Sequence, residues 1–282
     1  MKLPRPLDNT LSLLKDVFRD YSADNGSMVA AAISFYIYLS FIPLILLGVA
    51  IFGFLLGSPK QAEDFVLSFT RDYPGIISGG GIDLMSVSRE VIAGRGSATL
   101  IGTLLLLWTG TSVIVNMEQA INMAWDVDQP RGFIKSRLIG AGMIVLIGIL
   151  LGVSVGLTAL LRTLQQISIF GIRPGQWPVI WDVFAYLLPL FITIIAFTLI
   201  YKILPNANVR WITALIGGIF SGILWETAKV VFSFYLSHFG NYSAIYGSIA
   251  AIILFLIWIY YSSIITVLGA EFASVWDRRH RS

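Results

Sequence analysis

Glu226 and Lys229 stand three residues apart inside WITALIGGIFSGILWETAKVVFSFYL, an apolar run that opens at Trp211 and is long enough to cross a bilayer. Opposite charges at that spacing meet on one helical face. There they either neutralise each other as an ion pair or line a polar path for an ion, a proton or a lipid headgroup. Glu226 lies about fifteen residues past Trp211, roughly 22 Å along a helix, too deep to snorkel back to the nearer interface. Lys229 is further out, with a stem long enough to lean towards the opposite interface. Gly218, Gly222 and Ser233 share the stripe, so the same face also suits close helix packing.

Other polar side chains sit in apolar surroundings. Tyr36, Ser40 and Pro43 share one stripe of the first apolar run, and Pro43 removes a backbone hydrogen bond there, so a kink and an interior-facing side are expected. Tyr260, Tyr261 and Ser262 place hydroxyls in the middle of the final run, to bond neighbouring helices or to meet a ligand. Gly148, Gly152 and Gly156 form a doubled GxxxG pattern, a flat surface for helix packing in lipid.

Several chemistries are excluded by what the chain lacks. With no cysteine and two histidines, His238 and His280, it has neither thiolate chemistry nor a multi-histidine metal site. A Walker A pattern is missing, so ATP is not its direct energy source, and there is no potassium-type filter sequence. No catalytic residue, metal or cofactor is expected. The net charge of +3 does not indicate nucleic acid, because the basic residues are spread over loops and tails rather than interleaved with exposed aromatics.

The elements that must hold these residues are membrane spans. Apolar residues make up 56% of the chain, charged residues 12%, and mean hydropathy is +0.80, values of a polytopic all-α membrane protein. Six transmembrane helices are expected: near 29–56, 98–115, 138–161 and 180–203, then a hairpin of two after Trp211. Residues 1–28 read as a cytoplasmic amphipathic segment. Leu7, Leu11, Leu14, Phe18 and Tyr21 recur at helical spacing there, either to lie on the membrane or to pack against cytoplasmic loops. Residues 29–271 form the transmembrane domain, with an extracytoplasmic helical loop at 58–97, and 272–282 a basic cytoplasmic tail. The first apolar run begins near Val29 and is too long for a signal-peptide core, so no cleavable leader is expected.

Asn116 and Glu118 open a polar loop, and Arg131, Lys135 and Arg137 gather just before the third span. With Lys2, Arg5, Lys15, Arg19, Lys202, Arg210, Arg278, Arg279 and Arg281 they outnumber the bases of the opposite loops two to one. The positive-inside rule therefore puts both termini in the cytoplasm.

Three stretches carry a resemblance: AAAISFYIYLSFIPLILLGVAIFG, NMAWDVDQPRGFIKSRL, and YKILPNANVRW followed by IYGSIAAIILFLIWIYYSSIITVLGAEF. In this order, over nearly the whole chain, they resemble the YihY/BrkB family of bacterial inner-membrane proteins. The resemblance implies six spans with cytoplasmic ends, and the family's labels are virulence factor and, historically, ribonuclease BN. Lipid or solute transport in the envelope is a role suspected of its members. Its motif positions map onto Tyr36, Ser40 and Pro43, the cytoplasmic set Asn116, Arg131, Arg137 and Glu271, and also Pro205, Asn206, Tyr246, Gly247 and Gly269. None of them is an established catalytic residue. For Glu271 a salt bridge to Arg131 or Arg137 is expected.

These residues predict a transporter or flippase-like carrier of a lipid or a small amphipathic solute. Membrane lipids are its partners, without nucleic acid, and its oligomeric state is left open, a homo-oligomer included. The alternative is an envelope scaffold without transport. A ribonuclease is less favoured, because no cluster of His, Asp and Glu can be assembled around a scissile phosphate.

Overall fold

The computed structural model describes residues 5–56, 97–166, 178–238 and 249–281. Among the described residues the chain is all helical: α1 Arg5–Ala23, α2 Gly26–Leu56, α3 Ser97–Ala124, α4 Phe133–Gln166, α5 Pro178–Ile203, α6 Trp211–His238 and α7 Ile249–Arg281. The segments Phe133–Leu150, Trp211–Leu236 and Ile252–His280 are long and apolar enough to cross a membrane, while Gly26–Phe41 and Leu187–Ile203 are shorter apolar stretches. The loop expected beyond Ser58, together with Tyr246 and Gly247, lies outside the described residues, as do the side chains of Pro43 and Gly156's neighbours.

Helix bounds depart from expectation at two places. The polar loop expected from Asn116 is still helix as far as Ala124, because Met117, Ala120, Ile121 and Ala124 form a buried face and Glu118 is paired. Likewise, the tail expected at 272–282 continues α7 to Arg281, with Ala273 and Val275 buried.

The chain divides into two compact units. One comprises Met1–Gly26, Glu118–Lys229 and Ile265–Ser282, the other Ser27–Met117 and Val230–Ile264. In the second unit, Ser40 Oγ donates to the carbonyl of Thr109 at 2.7 Å and Ser34 Oγ lies 3.1 Å from Ser263 Oγ, so hydroxyls join α2 to α3 and α7. Phe41 packs on Phe255, and Phe232 on Trp258.

In the first unit, α1 lies on the end of α7. Leu13, Val17 and Val275 form a buried cluster flanked by Leu268, Phe272 and Trp276. The buried face of α1 is thus Leu13, Val17 and Tyr21. Leu11 and Phe18, expected on the apolar stripe, are exposed. The end of α7 selects the face that is buried. Ion pairs flank the contact: Arg279 bonds Asp16 and Ser12, and Arg278 bonds Asp20 and Asp126. Asn25 then turns the chain with a left-handed φ of 54°, and Gly26 sits where any Cβ would strike the Tyr21 ring.

The hydrogen bond from Arg279, helped by the charge of Arg19, holds the Asp16 carboxyl below its ordinary value of 3.8 against a smaller upward push from desolvation. A carboxylate whose pKa is lower docked than free supports docking fully above the free value and loses that support as pH falls through the docked value. Protection of α1 amides, taken relative to their intrinsic exchange rate, is therefore expected to fall below about pH 4, and with Asp16→Asn already at neutral pH while protection in α6 stays unchanged. Protection in α1 indifferent to both would remove the electrostatic part of this contact.

Candidate functional site

On α6, Lys229 Nζ lies 2.8 Å from Glu226 Oε2, the two side chains being 40% and 26% exposed. Thr193 Oγ1 of α5 donates to the other carboxylate oxygen, Glu226 Oε1, at 3.3 Å. The stripe that leads to this pair turns outward along the helix. Gly218 and Gly222 are buried against α5, where a Cβ at Gly218 would collide with Thr198 Oγ1 and one at Gly222 would lie 2.6 Å from Ile194 Cγ1. One turn further on, Glu226 and Lys229 are half-buried, and Ser233 is exposed. Small residues thus bring α5 and α6 together, and the ion pair sits where that contact ends.

The α5 surface next to this contact is apolar and hollow. Leu187, Leu188, Leu190, Phe191 and Ile194 line a shallow, open hollow of about 360 Å³ on this face, and Ile194 both borders it and covers Gly222. Pro189 sits in the same turn. Having no N–H, it leaves a carbonyl of the preceding turn without its usual helical donor. A polar pair at a helix edge beside an apolar hollow offers an amphiphile both of the surfaces it requires.

The hydroxyl residues singled out in the sequence belong to the second unit. Ser40 is fully buried and engaged with Thr109, Tyr36 is half-buried, and Tyr261 is exposed beside Tyr260. Ser262 donates to the carbonyl of Trp258 in its own helix at 2.8 Å. Asn116 likewise donates to Ser112 at 2.7 Å, one turn back. Among the described residues, no atom comes within 4 Å of a Cβ placed at Gly148 or Gly152.

Arg131 corrects the expectation for Glu271. Its guanidinium lies 3.2 Å from Glu118 Oε1 and donates to the carbonyls of Ile203, Leu204 and Pro205 where α5 ends. A helix C-terminus gathers unpaired carbonyls and negative dipole, and a planar five-donor group satisfies them where a salt bridge to Glu271 would not. Arg137 makes a cation–π contact with Phe133 at 5.4 Å. Glu271 is instead buried near Asp24, Asp20 and Arg278 at the end of α7.

Around Arg131 the α3–α4 turn is tied to the α5–α6 turn. The backbone N–H of Asn206 donates to Asn122 Oδ1 at 2.7 Å, and Asn206 Nδ2 to the Gln129 carbonyl at 2.9 Å. Next to it, Asp277 accepts from Arg210 at 2.9 Å and from Thr213 at 2.7 Å. Asn122 and Asp277 were not singled out from the sequence, and Glu118 was read there only as opening a loop. The available signal was a carboxylate and an amide one turn apart in a helix that continues beyond its apolar run.

Known proteins similar to this chain in sequence are named as membrane proteins. The family model described as virulence factor BrkB matches residues 17–282. The chain is 26% identical over 268 residues to a UPF0761 membrane protein of Legionella pneumophila strain Corby, covering 94% of this chain and 62% of that one. It is 30% identical to a UPF0761 membrane protein of Chromohalobacter salexigens, covering all of this chain and 68% of the relative. A Bacillus subtilis protein named ribonuclease-like protein YfkH is 26% identical over 96% of this chain and 97% of its own length. The chain spans about three fifths of the length of several of the curated relatives it matches. No solved structure matches it. With a family model aligned over all but its first sixteen residues, the chain belongs to the BrkB virulence factor family of membrane proteins.

Proposed function

We propose that this chain is a carrier in the bacterial inner membrane, moving a lipid or a small amphipathic solute, with six spans and both termini in the cytoplasm. The observation that supports it best is the half-exposed Glu226–Lys229 pair beside the apolar hollow of α5. A buried pair needs no solvent-facing edge, and charged side chains in lipid are costly enough that exposed ones mark a path or a headgroup contact. Its energy source is not ATP bound by this chain, which has no phosphate-binding motif.

The test is transport in reconstituted vesicles of phosphatidylethanolamine and phosphatidylglycerol, with fluorescent analogues of both lipids as probes. Wild-type protein is expected to accelerate their movement between leaflets. The double variant Glu226→Gln with Lys229→Met is expected to fold at wild-type yield and to lose most of that activity, because a neutral pair cannot meet a headgroup charge. Full activity in the double variant would reduce the pair to a packing element.

Failure of the wild-type protein to move either lipid would favour the second reading, an envelope scaffold, which is supported by the closure of the ion pair on itself at 2.8 Å. A ribonuclease is not proposed, since the sequence gathers no cluster of His, Asp and Glu to activate a water against a phosphodiester.

Topology is tested separately. Cysteines replacing Asp128, in the turn after α3, and His238, at the end of α6, are expected to react with impermeant reagents from opposite faces of the membrane. Reaction from one face would remove the six-span arrangement.

A further inference from the structure

The turn from α3 into α4 contains three buried polar atoms that, among the described residues, no group reaches: Glu118 Oε2, Asn122 Nδ2 and Trp125 Nε1. Glu118 is 2% exposed and Asn122 6%. Both bonds to Glu118, from Arg131 at 3.2 Å and Ser136 Oγ at 3.3 Å, fall on Oε1, which leaves Oε2 with its lone pairs unused. The orientation of Asn122 is set by Asn206, whose backbone N–H takes the amide oxygen, so a flip would bring two donors together and Nδ2 must remain the outward donor. The three residues follow one another by four and three positions, the spacing of neighbours on one helical face. Trp125 keeps that register, because its backbone N–H still bonds to Ile121 and Asn122.

Buried polar atoms are almost always satisfied, and three unsatisfied ones at i, i+4 and i+7 of one helical face call for a shared partner. The chemistry of the set selects it. One free acceptor faces two donors, and Arg131 already balances the Glu118 charge. A cation would meet N–H groups and a nearby guanidinium, whereas an anion would meet the carboxylate. A neutral molecule that both donates and accepts suits all three, and internal waters typically make about three such bonds. We propose that Glu118, Asn122 and Trp125 hold an internal water, which donates to Glu118 Oε2 and accepts from Asn122 Nδ2 and Trp125 Nε1. This water completes the polar network that ties the α3–α4 turn to the α5–α6 turn, and it stands whether or not the protein is a carrier.

The experiment is X-ray hydroxyl-radical footprinting of the full chain in lipid nanodiscs, read by mass spectrometry at each tryptophan. Radicals form from the water itself, so a ring beside a held water is oxidised faster than its exposure alone provides. Trp125 is expected to be oxidised several-fold faster than Trp276, a similarly half-buried ring near the end of α7, and Asn122→Leu is expected to suppress that oxidation several-fold. Slow oxidation of Trp125 in the wild type would overturn the proposal, because the site would be dry. Fast oxidation unchanged by Asn122→Leu would overturn it too, because bulk solvent would then be the source. Should Asn122→Leu fail to fold, a rapid mix of wild-type protein into oxygen-18 water decides. A held water leaves oxygen-16 on Trp125 when the exposed Trp211 already carries oxygen-18, and equal isotope ratios at the two rings would sink the idea.

Discussion

Arg131→Ala is expected to lower the stability of the folded protein by about 3–5 kcal/mol, the cost of breaking a buried ion pair from one side. The Arg131 and Glu118 side chains are 12% and 3% exposed, so water cannot replace the lost partner readily. The same substitution strips three carbonyls at the end of α5 of their donor. Arg131→Lys is expected to recover only part of the loss, because an ammonium is a point charge that cannot serve Glu118 and three carbonyls in one geometry. Glu118→Gln is expected to be milder than Arg131→Ala, since the carbonyls still solvate the guanidinium. Thermal unfolding of the purified protein in detergent ranks the three. An Arg131→Ala melting curve that overlies wild type would show that the guanidinium is not what secures this turn.

Gly269→Ala is expected to be nearly as damaging, for the opposite reason. A Cβ there would overlap Ser221 Oγ and Tyr201 Oη, both on fully buried side chains. Those two atoms are 2.7 Å apart, and Tyr201 also donates to the Thr266 carbonyl at 2.9 Å, so α5, α6 and α7 meet at one hydroxyl pair. Overpacking costs about 1–3 kcal/mol, and displacing a buried hydrogen bond adds about 1–3 kcal/mol. Ser221 Oγ is the atom nearest the added methyl, so Ser221→Ala is expected to relieve part of the damage in the double variant. If the two losses simply add, the crowding lies elsewhere.

The all-helical character was legible in the sequence because long apolar runs with few charges leave no other secondary structure able to satisfy the backbone in lipid. The closeness of Glu226 to Lys229 was legible too, as a consequence of spacing alone. What spacing does not contain is the partner. Leu7, Leu11, Leu14 and Phe18 have helical periodicity, yet the end of α7 selected Leu13 and Val17. Glu271 was assigned Arg131 or Arg137 of the cytoplasmic loop, whereas Arg131 is drawn to the carbonyls at the end of α5, a feature visible only once that helix has an end. The helical continuation past Asn116 was hidden because a paired Glu118 looks, in sequence, like the start of a loop.

The seat of α1 on α7 also bears on how the protein is made. Asp20 and Arg278, which join the two helices, are separated by 258 residues. At about 5–20 residues per second, α1 leaves the ribosome roughly 13–50 s before the surface it covers exists. During that interval Leu13 and Val17 lack Val275 and its neighbours to pack on, and the acids at Asp16 and Asp20 have no counter-charge from Arg278 and Arg279. Synthesis therefore contains a waiting period in which the amino-terminal helix must be sheltered by the lipid surface or by a chaperone. Slowing translation shortly before residue 275 is expected to lengthen that wait and to raise the fraction of chains degraded.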